Sequence, residues 1–560
     1  MTTTTPAPEI ASSGRADQIF PTLTPAQIGR IAAHGRVRRV GAGEVLVEIG
    51  DPTARLFLVT EGQIEVFRAP GTATQPDVAL GPGQFTGEVT LLAGRPGLAR
   101  LRSATAGEVI EVGRESLMAL IQSDGELSDI LMRAFVLRRV ELLARGMSDV
   151  VVLGSTHCQG TLRVQEFLTR NGHPHTMLDL DRDAAVQELL DRFQIKPGDI
   201  PVVICRGTLV LRNPTNQQIA DCLGFNDAIE RTHLRDVVII GAGPAGLAAA
   251  VYGASEGLDV LMLESTAAGG QAGASSRIEN YLGFPTGISG QDLAARAGAQ
   301  ALKFGAQLMI GNDAKRLTCD RKPYSIEIDD GPRVPARAMI IASGAEYRRL
   351  AIPNLSQFEG GMGVYYAATG MEAQLCKGEE VAVVGGGNSA GQAAVFLAQH
   401  ASRVHILVRS DGLADTMSRY LIRRIEDHPK IEMHVRTEIV GLEGDRHLEQ
   451  VRWRSNRTGD EETRVLRHVF SMTGATPSTA WLHGCVALDE RGFIKTGQDL
   501  TPEDLVAAKW PLARSPYLLE TSLPGVFAVG DVRCRSIKRV ASAVGEGSMA
   551  IAAVHQVLHE

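Results

Sequence analysis

Two glycine-rich turns in the second half of the chain carry the residue types that bind dinucleotides. The first turn, in VVIIGAGPAGLAAA, places Gly241, Gly243 and Gly246 directly after an apolar run and at the start of a helix-forming run. One glycine makes the bend, one lets backbone N–H groups approach a pyrophosphate, and one lets the helix pack on the strand. Glu264 ends the next apolar run, where a carboxylate accepts hydrogen bonds from ribose hydroxyls. The segment therefore predicts a dinucleotide site.

A second turn of the same frame, VAVVGGGNSA, contains Gly385, Gly387 and Ala390. Its second strand ends in Arg409 instead of an acid. A cation at that position favours the 2′-phosphate of NADPH over the free ribose of NADH, and a solvated arginine is the alternative. Two such sites, one ending in an acid and one in a cation, indicate a flavin and a nicotinamide that exchange a hydride.

Length and composition limit the number of domains and the class of protein. The 560 residues imply roughly three to five domains. With 44% hydrophobic and 22% charged residues, the chain is neither disordered nor a long coiled coil. A net charge of -7 argues against a nucleic-acid or anionic-membrane surface.

The N-terminal segment and the longest uncharged run indicate where in the cell the protein is expected. Met1 to Ser13 has no basic and apolar signal regions, so we expect a cytoplasmic protein. The run from Val237 to Ala254 is interrupted by glycines and a proline, so we interpret it as a buried strand, turn and helix, with no membrane span.

The cysteines are scattered. Seven occur in the chain, without a CxxC pair and without metal-ligand spacing: Cys158, Cys205, Cys222, Cys319, Cys376, Cys485 and Cys534. We therefore predict neither a disulfide scaffold nor a metal site.

The first 225 residues divide into two patterns. Residues 20–144 alternate short strands with glycine and proline turns and end in helical spacing, which predicts a β-roll closed by helices. Residues 148–225 alternate strands and helices, with a helix over AVQELLDRF and one strand over PVVICRGTLVL, which predicts an α/β unit.

The remainder of the chain resembles bacterial thioredoxin reductase, a flavoprotein whose NADPH domain is inserted into its FAD domain. The matching stretches are GGQA, IENYLGFP, IIASGAEYRRLAIP, VAVVGGGNSA and GVFAVGDVRCRSIKRVASAVGEG. The resemblance implies tandem Rossmann-like three-layer domains that bind FAD and NADP(H).

The resemblance also implies a set of cofactor-binding residues. Gln271 and Asn280 would contact FAD, Asp531 would hold the ribityl chain, and Arg539 stands where the family has a glutamine beside the flavin pyrimidine. Ordinary loop or helix packing is the alternative for Arg539. The full FAD set is Gly241, Gly243, Pro244, Ala245, Gly246, Glu264, Gly270, Gln271, Asn280, Gly344, Gly530, Asp531, Lys538, Arg539 and Val540. The NADPH set is Gly385, Gly387, Asn388, Ser389, Ala390 and Arg409.

The chain departs from the family at the redox-active disulfide. The family's CATC motif corresponds here to AATG, from Ala367 to Gly370, and Cys376 follows alone. Disulfide exchange needs an attacking thiolate and a second thiol, so we expect no standard thioredoxin reduction. The family's HRR loop reads Val408, Arg409, Ser410, so one of two phosphate-binding cations is absent.

The β-roll resembles a cyclic nucleotide-binding domain. FTGEVTLLAGRPGLARL retains Glu88, but Gly97 stands where the family's phosphate-binding arginine is expected. Arg95 and Arg100 are candidate substitutes, although the guanidinium fork is sensitive to position. A working cyclic nucleotide site and a degenerate docking roll are equally favoured.

Residues 148–226 resemble glutaredoxin. GSTHCQGT stands where that family has CxxC, and DIPVVI matches its cis-proline strand. Cys158 is retained and Thr161 replaces the second cysteine. A cysteine at a helix N-terminus gains thiolate stability, so Cys158 is the candidate redox thiol, with a docking module as the alternative.

Together these patterns predict an FAD-dependent oxidoreductase that accepts hydride from NADPH. The electron acceptor stays open: Cys158, a small redox protein, a quinone or oxygen. The alternatives are a ferredoxin- or quinone-type NADPH reductase of the same fold and a non-enzymatic flavin redox sensor. The resemblance implies a homodimer.

The sequence also predicts the limits of the domains. The predicted divisions are a disordered tail (1–19), a cyclic nucleotide-binding-like domain (20–147), a glutaredoxin- or thioredoxin-like domain (148–226), a first FAD-binding segment (235–354), an NADPH-binding domain (355–482) and a second FAD-binding segment (483–560).

Overall fold

The fold is taken from a computed structural model. It describes residues 16–560 except 52–54, 68–75, 88–90, 96, 98, 145–149, 156–157, 181–198, 206–208, 276, 330, 332, 360–361, 367, 369, 415–416, 446 and 483. Glu88 and the helix predicted over AVQELLDRF therefore lie outside the described residues. The tail predicted over 1–19 extends too far, because Ala16–Ile19 forms helix α1. Arg138 Nε donates to the Ile19 carbonyl at 2.9 Å, which fixes this helix on the roll.

The first unit is a roll of two small sheets closed by helices. Its helices are α2 (Pro25–Ala32), α3 (Arg114–Ser123) and α4 (Gly125–Ala144). Its strands are β1 (Arg36–Val40), β2 (Val45–Val47), β3 (Arg55–Glu61), β4 (Ile64–Phe67), β5 (Val78–Leu80), β6 (Arg100–Ser103) and β7 (Gly107–Gly113). The sheet orders are β1-β7-β3 and β2-β6-β4-β5. Phe57, Phe85 and Phe135 are fully buried in its core.

The second unit is a four-stranded mixed sheet with helices. Its elements are β8 (Val150–Gly154), α5 (Gln159–Arg170), β9 (Thr176–Asp179), β10 (Val202–Cys205), β11 (Leu209–Arg212) and α6 (Asn216–Cys222). The order is β11-β10-β8-β9, with β8 and β9 parallel and the other pairs antiparallel. The Ile200–Pro201 peptide bond is cis. The single strand predicted over PVVICRGTLVL is wrong, because the segment folds back and Val202 pairs with Arg212.

The third unit contains the first glycine turn. Its elements up to the crossover are β12 (Arg235–Ile240), α7 (Pro244–Ser255), β13 (Val260–Glu264), α8 (Gly270–Gly273), α9 (Gly290–Lys303), β14 (Gln307–Ile310), β15 (Ala314–Thr318), β16 (Tyr324–Ile328), β17 (Arg333–Ile341) and β18 (Ala345–Tyr347). The sheet order is β14-β13-β12-β17-β16-β15. Strands β14, β13, β12 and β17 are parallel, so their carboxyl ends share one edge. The uncharged run from Val237 to Ala254 forms β12 and α7, as predicted.

The fourth unit is inserted into the third unit, between β18 and the last elements of the third unit. It comprises α10 (Leu355–Phe358), β19 (Val364–Tyr365), α11 (Gly370–Leu375), β20 (Glu380–Val384), α12 (Asn388–Leu397), β21 (Arg403–Val408), α13 (Arg419–Glu426), β22 (Ile431–Val435), β23 (Thr437–Glu443), β24 (Gln450–Ser455), β25 (Glu461–Val465) and β26 (His468–Ser471). A parallel sheet of order β19-β26-β20-β21-β22 carries the second glycine turn, and β23-β24-β25 form a meander.

The chain returns to the third unit through an antiparallel pair of strands. Strand β27 (Ala475–Pro477) pairs with β18, so the chain enters and leaves the insertion side by side. The last elements are α14 (Pro502–Ala507), β28 (Val526–Ala528) and α15 (Val540–His559). Strand β28 pairs in parallel with β17 and completes the third unit's sheet. The predicted domain limits within these units stay a prediction.

The sequence predicts no disulfide scaffold, but the structure contains disulfides that the cysteine spacing did not indicate. Cys319 is bonded to Cys485, and Cys205 to Cys222, with Cα atoms 6.0 and 6.8 Å apart. Cys319 and Cys485 are 166 residues apart in the chain, and the core of the third unit brings them together. Among the helices that the structure describes, none is long and apolar enough to cross a membrane.

Candidate functional site

The first glycine turn lies at the carboxyl end of β12 and leads into α7. Gly241 has a φ of +101°, and a Cβ there would stand 2.3 Å from the Ala342 carbonyl oxygen. A Cβ on Gly246 would stand 1.9 Å from the Gly241 carbonyl oxygen. Both glycines are therefore required by the protein's own backbone, which brings the start of α7 against the strand.

Gly243 differs from its two neighbours. It is the N-cap of α7 with φ −70°, a conformation that any residue adopts. A Cβ on Gly243 would meet nothing closer than the Gly270 Cα, at 3.9 Å. Neither conformation nor packing requires a glycine here. The space in front of the helix N-terminus fits a phosphate group that accepts from backbone N–H groups, as the motif predicts.

Glu264 ends β13 at the same sheet edge. Its Oε2 accepts from the Ala242 N–H at 2.8 Å, and its Oε1 accepts from the Thr266 and Ala267 N–H groups at 2.9 and 3.2 Å. Burial raises the pKa of Glu264, and these N–H groups oppose that shift. The carboxyl group therefore stands beside the turn, as the sequence predicts, and is oriented by backbone donors.

The opposite wall of the turn is the GGQA segment. Gly270 has a φ of +53°, and a Cβ there would stand 3.0 Å from the Gly243 Cα. The Gln271 side chain donates to the Ala345 carbonyl oxygen, and the side chain of Asn280 is exposed. An apolar cavity of about 380 Å³ adjoins this wall. Its lining includes Pro244 and Val540, which belong to the predicted FAD set.

The GD motif directly follows β28 and packs against the start of α7. Gly530 has a φ of +74°, and a Cβ on it would meet the Ala245 Cβ at 3.0 Å. Burial raises the pKa of Asp531, and Lys538 opposes that shift. Lys538 Nζ donates to the Asp531 carbonyl oxygen at 2.5 Å. Arg539 is the exposed N-cap of α15, and its place beside the flavin stays a prediction.

One residue of this region was not predicted. Glu546, in α15, accepts from the Gly530 N–H at 2.7 Å and from Arg533 at 2.5 Å. It therefore orients the loop that carries Asp531. The matching stretch contains this glutamate in its VGEG segment, but a glutamate in a helix is ordinarily exposed, so the sequence did not mark it as a site residue.

The second glycine turn repeats the geometry of the first. Gly385 has a φ of +143°, and a Cβ on it would stand 2.4 Å from the Met472 carbonyl oxygen. Gly387 is the N-cap of α12. Asn388 Oδ1 accepts from the Ser418 N–H at 2.9 Å, which ties the turn to α13. Ser389 is exposed at the helix start, whereas Ala390 is buried.

Arg409 directly follows β21 and is exposed. Within the described part of the chain, Arg409 has no hydrogen-bond or ion-pair partner. The structure therefore places a free guanidinium after the second strand of this turn, where the sequence predicts the 2′-phosphate contact.

Residues 235–547 match the family model of pyridine nucleotide-disulphide oxidoreductases. The chain belongs to this family. Residues 37–124 match the family model of the cyclic nucleotide-binding domain, which agrees with the resemblance of the β-roll.

Known relatives of this pyridine nucleotide-disulphide oxidoreductase are thioredoxin reductases. Those of Eremothecium gossypii and Bacillus subtilis are each 33% identical to it over 58% of the chain, which covers 98% and 95% of those proteins. The solved thioredoxin reductases of Lactococcus lactis and T. acidophilum are 28% and 29% identical, each with a TM-score of 0.52. They cover 58% and 59% of this chain and 100% of their own.

The remaining cysteine of the oxidoreductase's CATC region is unsuited to disulfide exchange. Cys376 is fully buried, and its thiol lies 3.6 Å from the Ala373 carbonyl oxygen. Burial raises the pKa of Cys376 to about 11. A thiol of this pKa is protonated at neutral pH and does not act as a nucleophile.

Cys158 is the half-buried N-cap of α5. At the other end of this helix, Arg170 donates to the Gly270 carbonyl oxygen at 2.8 Å. The twelve residues of α5 span roughly 18 Å at a rise of about 1.5 Å per residue. The structure therefore does not bring Cys158 to the glycine turn of the third unit. It does bring Arg163 close enough to Cys158 for an electrostatic interaction, which the sequence did not indicate.

The two arginines predicted to replace the family's phosphate-binding arginine have different contacts. The Arg95 guanidinium lies over the ring of Phe225, 4.2 Å from its centroid. Arg100 pairs with Glu48 at 2.8 Å on the surface of the roll. A Cβ on Gly97 would stand 3.5 Å from the Val47 side chain. Arg95 therefore connects the roll to the segment that leads into β12.

Proposed function

We propose that this chain is an FAD-dependent oxidoreductase that accepts hydride from NADPH. The observation that carries the proposal is the pair of glycine turns, the first leading to Glu264 and the second to Arg409. The open space at Gly243 supports a pyrophosphate at the first turn, because nothing in the protein requires a glycine there. The domain limits and the individual site residues belong to this proposal.

Residues around both glycine turns have roles that their surroundings support. N–H groups at the start of α7 bind the FAD pyrophosphate, and Glu264 accepts from the adenosine ribose. Arg409 pairs with the 2′-phosphate of NADPH. Glu546 orients the loop of Asp531 through Gly530. Bound FAD supplies a group that accepts hydride and passes electrons on.

The acceptor lies outside the CATC region. Ala367 and Gly370 cannot form a disulfide, and Cys376 is buried with a pKa of about 11. The proposed acceptor is a small redox protein or a quinone, and oxygen is tested beside them. In the glutaredoxin-like module, Cys158 is the candidate redox thiol, and its position far from Gly270 means that it acts only after a rearrangement or on a partner. The proposal includes a homodimer, as the family resemblance implies, and a cytoplasmic location.

The second candidate function is a flavin-based redox sensor regulated by the roll. The stacking of Arg95 on Phe225 favours it, because a cyclic phosphate that recruits Arg95 breaks a contact between the roll and the segment before β12. Cyclic nucleotide is the ligand proposed for the roll, with Glu88 as its ribose contact.

Anaerobic reduction tests both functions. Purified protein is mixed with NADPH, flavin bleaching is recorded, and reoxidation is followed with dithiol thioredoxin, a ferredoxin-type carrier, a quinone and oxygen. We expect bleaching, no rapid reoxidation by thioredoxin, and turnover with one other acceptor. Slow reoxidation by all four, with a cyclic nucleotide-dependent change of shape, supports the sensor. A protein that does not bind FAD, or whose flavin NADPH does not bleach, contradicts the proposal.

A further inference from the structure

The inserted unit contains a cluster of metal-ligating side chains on the two strands that follow the second glycine turn. We name His405, Glu432 and His434 the His405 cluster. They lie on neighbouring parallel strands β21 and β22, in which His405 pairs with Glu432. Glu432 and His434 are two residues apart and thus share one face of β22. His405 is 1% exposed, whereas the side chains of His434 and Glu432 are 18% and 44% exposed.

The distances within the cluster suit a single ion. His405 Nδ1 and His434 Nε2 are 3.0 Å apart. Glu432 Oε2 is 3.8 Å from His405 Nδ1, and Glu432 Oε1 is 3.6 Å from His434 Nε2. Ligand atoms about 2.0 to 2.1 Å from a tetrahedral zinc ion are about 3.3 Å from one another. The two distances from His434 Nε2, 3.0 Å to His405 Nδ1 and 3.6 Å to Glu432 Oε1, lie on either side of that value.

The surroundings orient the buried histidine as metal sites do. Glu380 Oε2 lies 3.1 Å from His405 Nε2, so His405 donates there and directs Nδ1 at His434. A carboxylate on the outer ring nitrogen of a ligating histidine fixes its tautomer and raises its basicity. The Trp453 ring packs against both histidines, with centroids 5.6 and 5.2 Å away.

The carboxylate of Glu432 presents one oxygen to the cluster. Arg403 Nη1 donates to Glu432 Oε2 at 3.1 Å, so Oε1 is the oxygen available to an ion. The exposure of Glu432 provides a path from solvent.

We propose that His405 Nδ1, His434 Nε2 and Glu432 Oε1 bind one divalent ion of the zinc class, with water in the fourth position. Two imidazoles and a carboxylate suit zinc and its neighbours in the transition series and are a poor set for magnesium or calcium. The ion would join β21 to β22. This inference replaces the prediction of no metal site, which considered ligand spacing along the chain only.

Without an ion, the same side chains form a hydrogen-bond chain in which one imidazole donates to the other. The two arrangements make different predictions about composition. Metal binding predicts retained zinc, whereas the hydrogen-bond chain predicts none.

The test uses the full, untagged, FAD-loaded chain. The protein is stripped with a chelator, reloaded with Zn²⁺ or Co²⁺, desalted and assayed by elemental analysis and by visible absorption. We expect about one ion per chain and the absorption bands of tetrahedral cobalt. His434→Gln and Glu432→Gln should each bind zinc at least tenfold more weakly. Glu380→Gln, which changes a positioning residue, should weaken binding roughly 10- to 100-fold.

His400→Gln is the matched control, because His400 is an exposed histidine of the same unit that contacts the Phe396 ring. It should bind zinc like the parent chain. FAD content and melting temperature verify that each variant folds. A parent chain that retains no zinc, or equal zinc in the parent and His434→Gln, overturns the proposal.

Discussion

At the glycine turn before α7, single glycine-to-alanine substitutions can distinguish a contact with a bound ligand from a packing contact within the protein. Gly243→Ala adds a Cβ that meets only the Gly270 Cα, at 3.9 Å, and the residue's φ of −70° suits alanine. The folded protein should accept this methyl without strain. A pyrophosphate that accepts from the N–H groups at the helix start must come within about 3 Å of them, so the methyl competes with FAD for that space.

The size of the effect follows from the contact that is lost. A hydrogen bond to a charged group contributes about 1.5 to 3 kcal/mol, so loss of one such bond weakens FAD binding roughly 10- to 100-fold. Gly246→Ala should behave differently, because its Cβ would stand 1.9 Å from the Gly241 carbonyl oxygen. Helix α7 must then move away from β12, and overpacking of this kind costs about 1 to 3 kcal/mol of stability.

Two measurements on FAD-free protein distinguish these effects. FAD titration followed by flavin fluorescence gives the affinity, and thermal unfolding gives the stability. Gly243→Ala should change the affinity and leave the melting temperature of the apoprotein unchanged, whereas Gly246→Ala should lower both. Gly298→Ala, in α9 with nothing within 4 Å of its Cβ, is the control and should bind FAD normally. Parental FAD affinity in Gly243→Ala would refute the assignment of this space to the pyrophosphate.

Three further predictions concern the inserted unit. Arg409→Ala should raise the KM for NADPH roughly tenfold or more and leave that for NADH unchanged, measured by stopped-flow bleaching; an equal change for both nucleotides contradicts the phosphate contact. Cys376→Ser should retain the parental rate of flavin reduction, and Cys376 should resist alkylation at pH 7, because burial raises its pKa to about 11. Burial lowers the pKa of His468 from 6.5, and Glu379 opposes the shift. The unfolded chain therefore takes up the proton first, and stability falls as pH decreases through 6.5. His468→Gln should flatten this dependence in thermal unfolding from pH 7.5 to 5.5, and an unchanged slope counts against it.

The features of the site that the sequence predicted are those encoded locally. The strand, turn, helix and acid from Val237 to Glu264 occupy one continuous segment, and each residue type has a conformational reason to be there. The structure brings Glu264 to the turn through its own backbone donors. The second turn at Gly385 was predictable for the same reason.

The features that sequence reasoning missed depend on contacts between distant segments. Cys319 and Cys485 meet only because the third unit's core closes around them, and the spacing of cysteines along a chain does not report this. The His405 cluster is formed by the register of two parallel strands, which no local pattern reveals. The hairpin within PVVICRGTLVL was missed because both of its strands are apolar and a continuous apolar run does not locate the reversal.

The pairing of β28 with β17 also determines when the sheet of the third unit can be completed during synthesis. Met339 pairs with Val526, so at about 5 to 20 residues per second the ribosome needs roughly 10 to 40 seconds to deliver the last strand after β17 has emerged. The inserted unit is complete before then. Its folding brings β18 and β27 together, which shortens the loop that β28 must close and lowers the entropic cost of closing it. A nascent chain arrested before Val526 should therefore carry a folded inserted unit and an incomplete sheet in the third unit, so that the proposed FAD site is completed last.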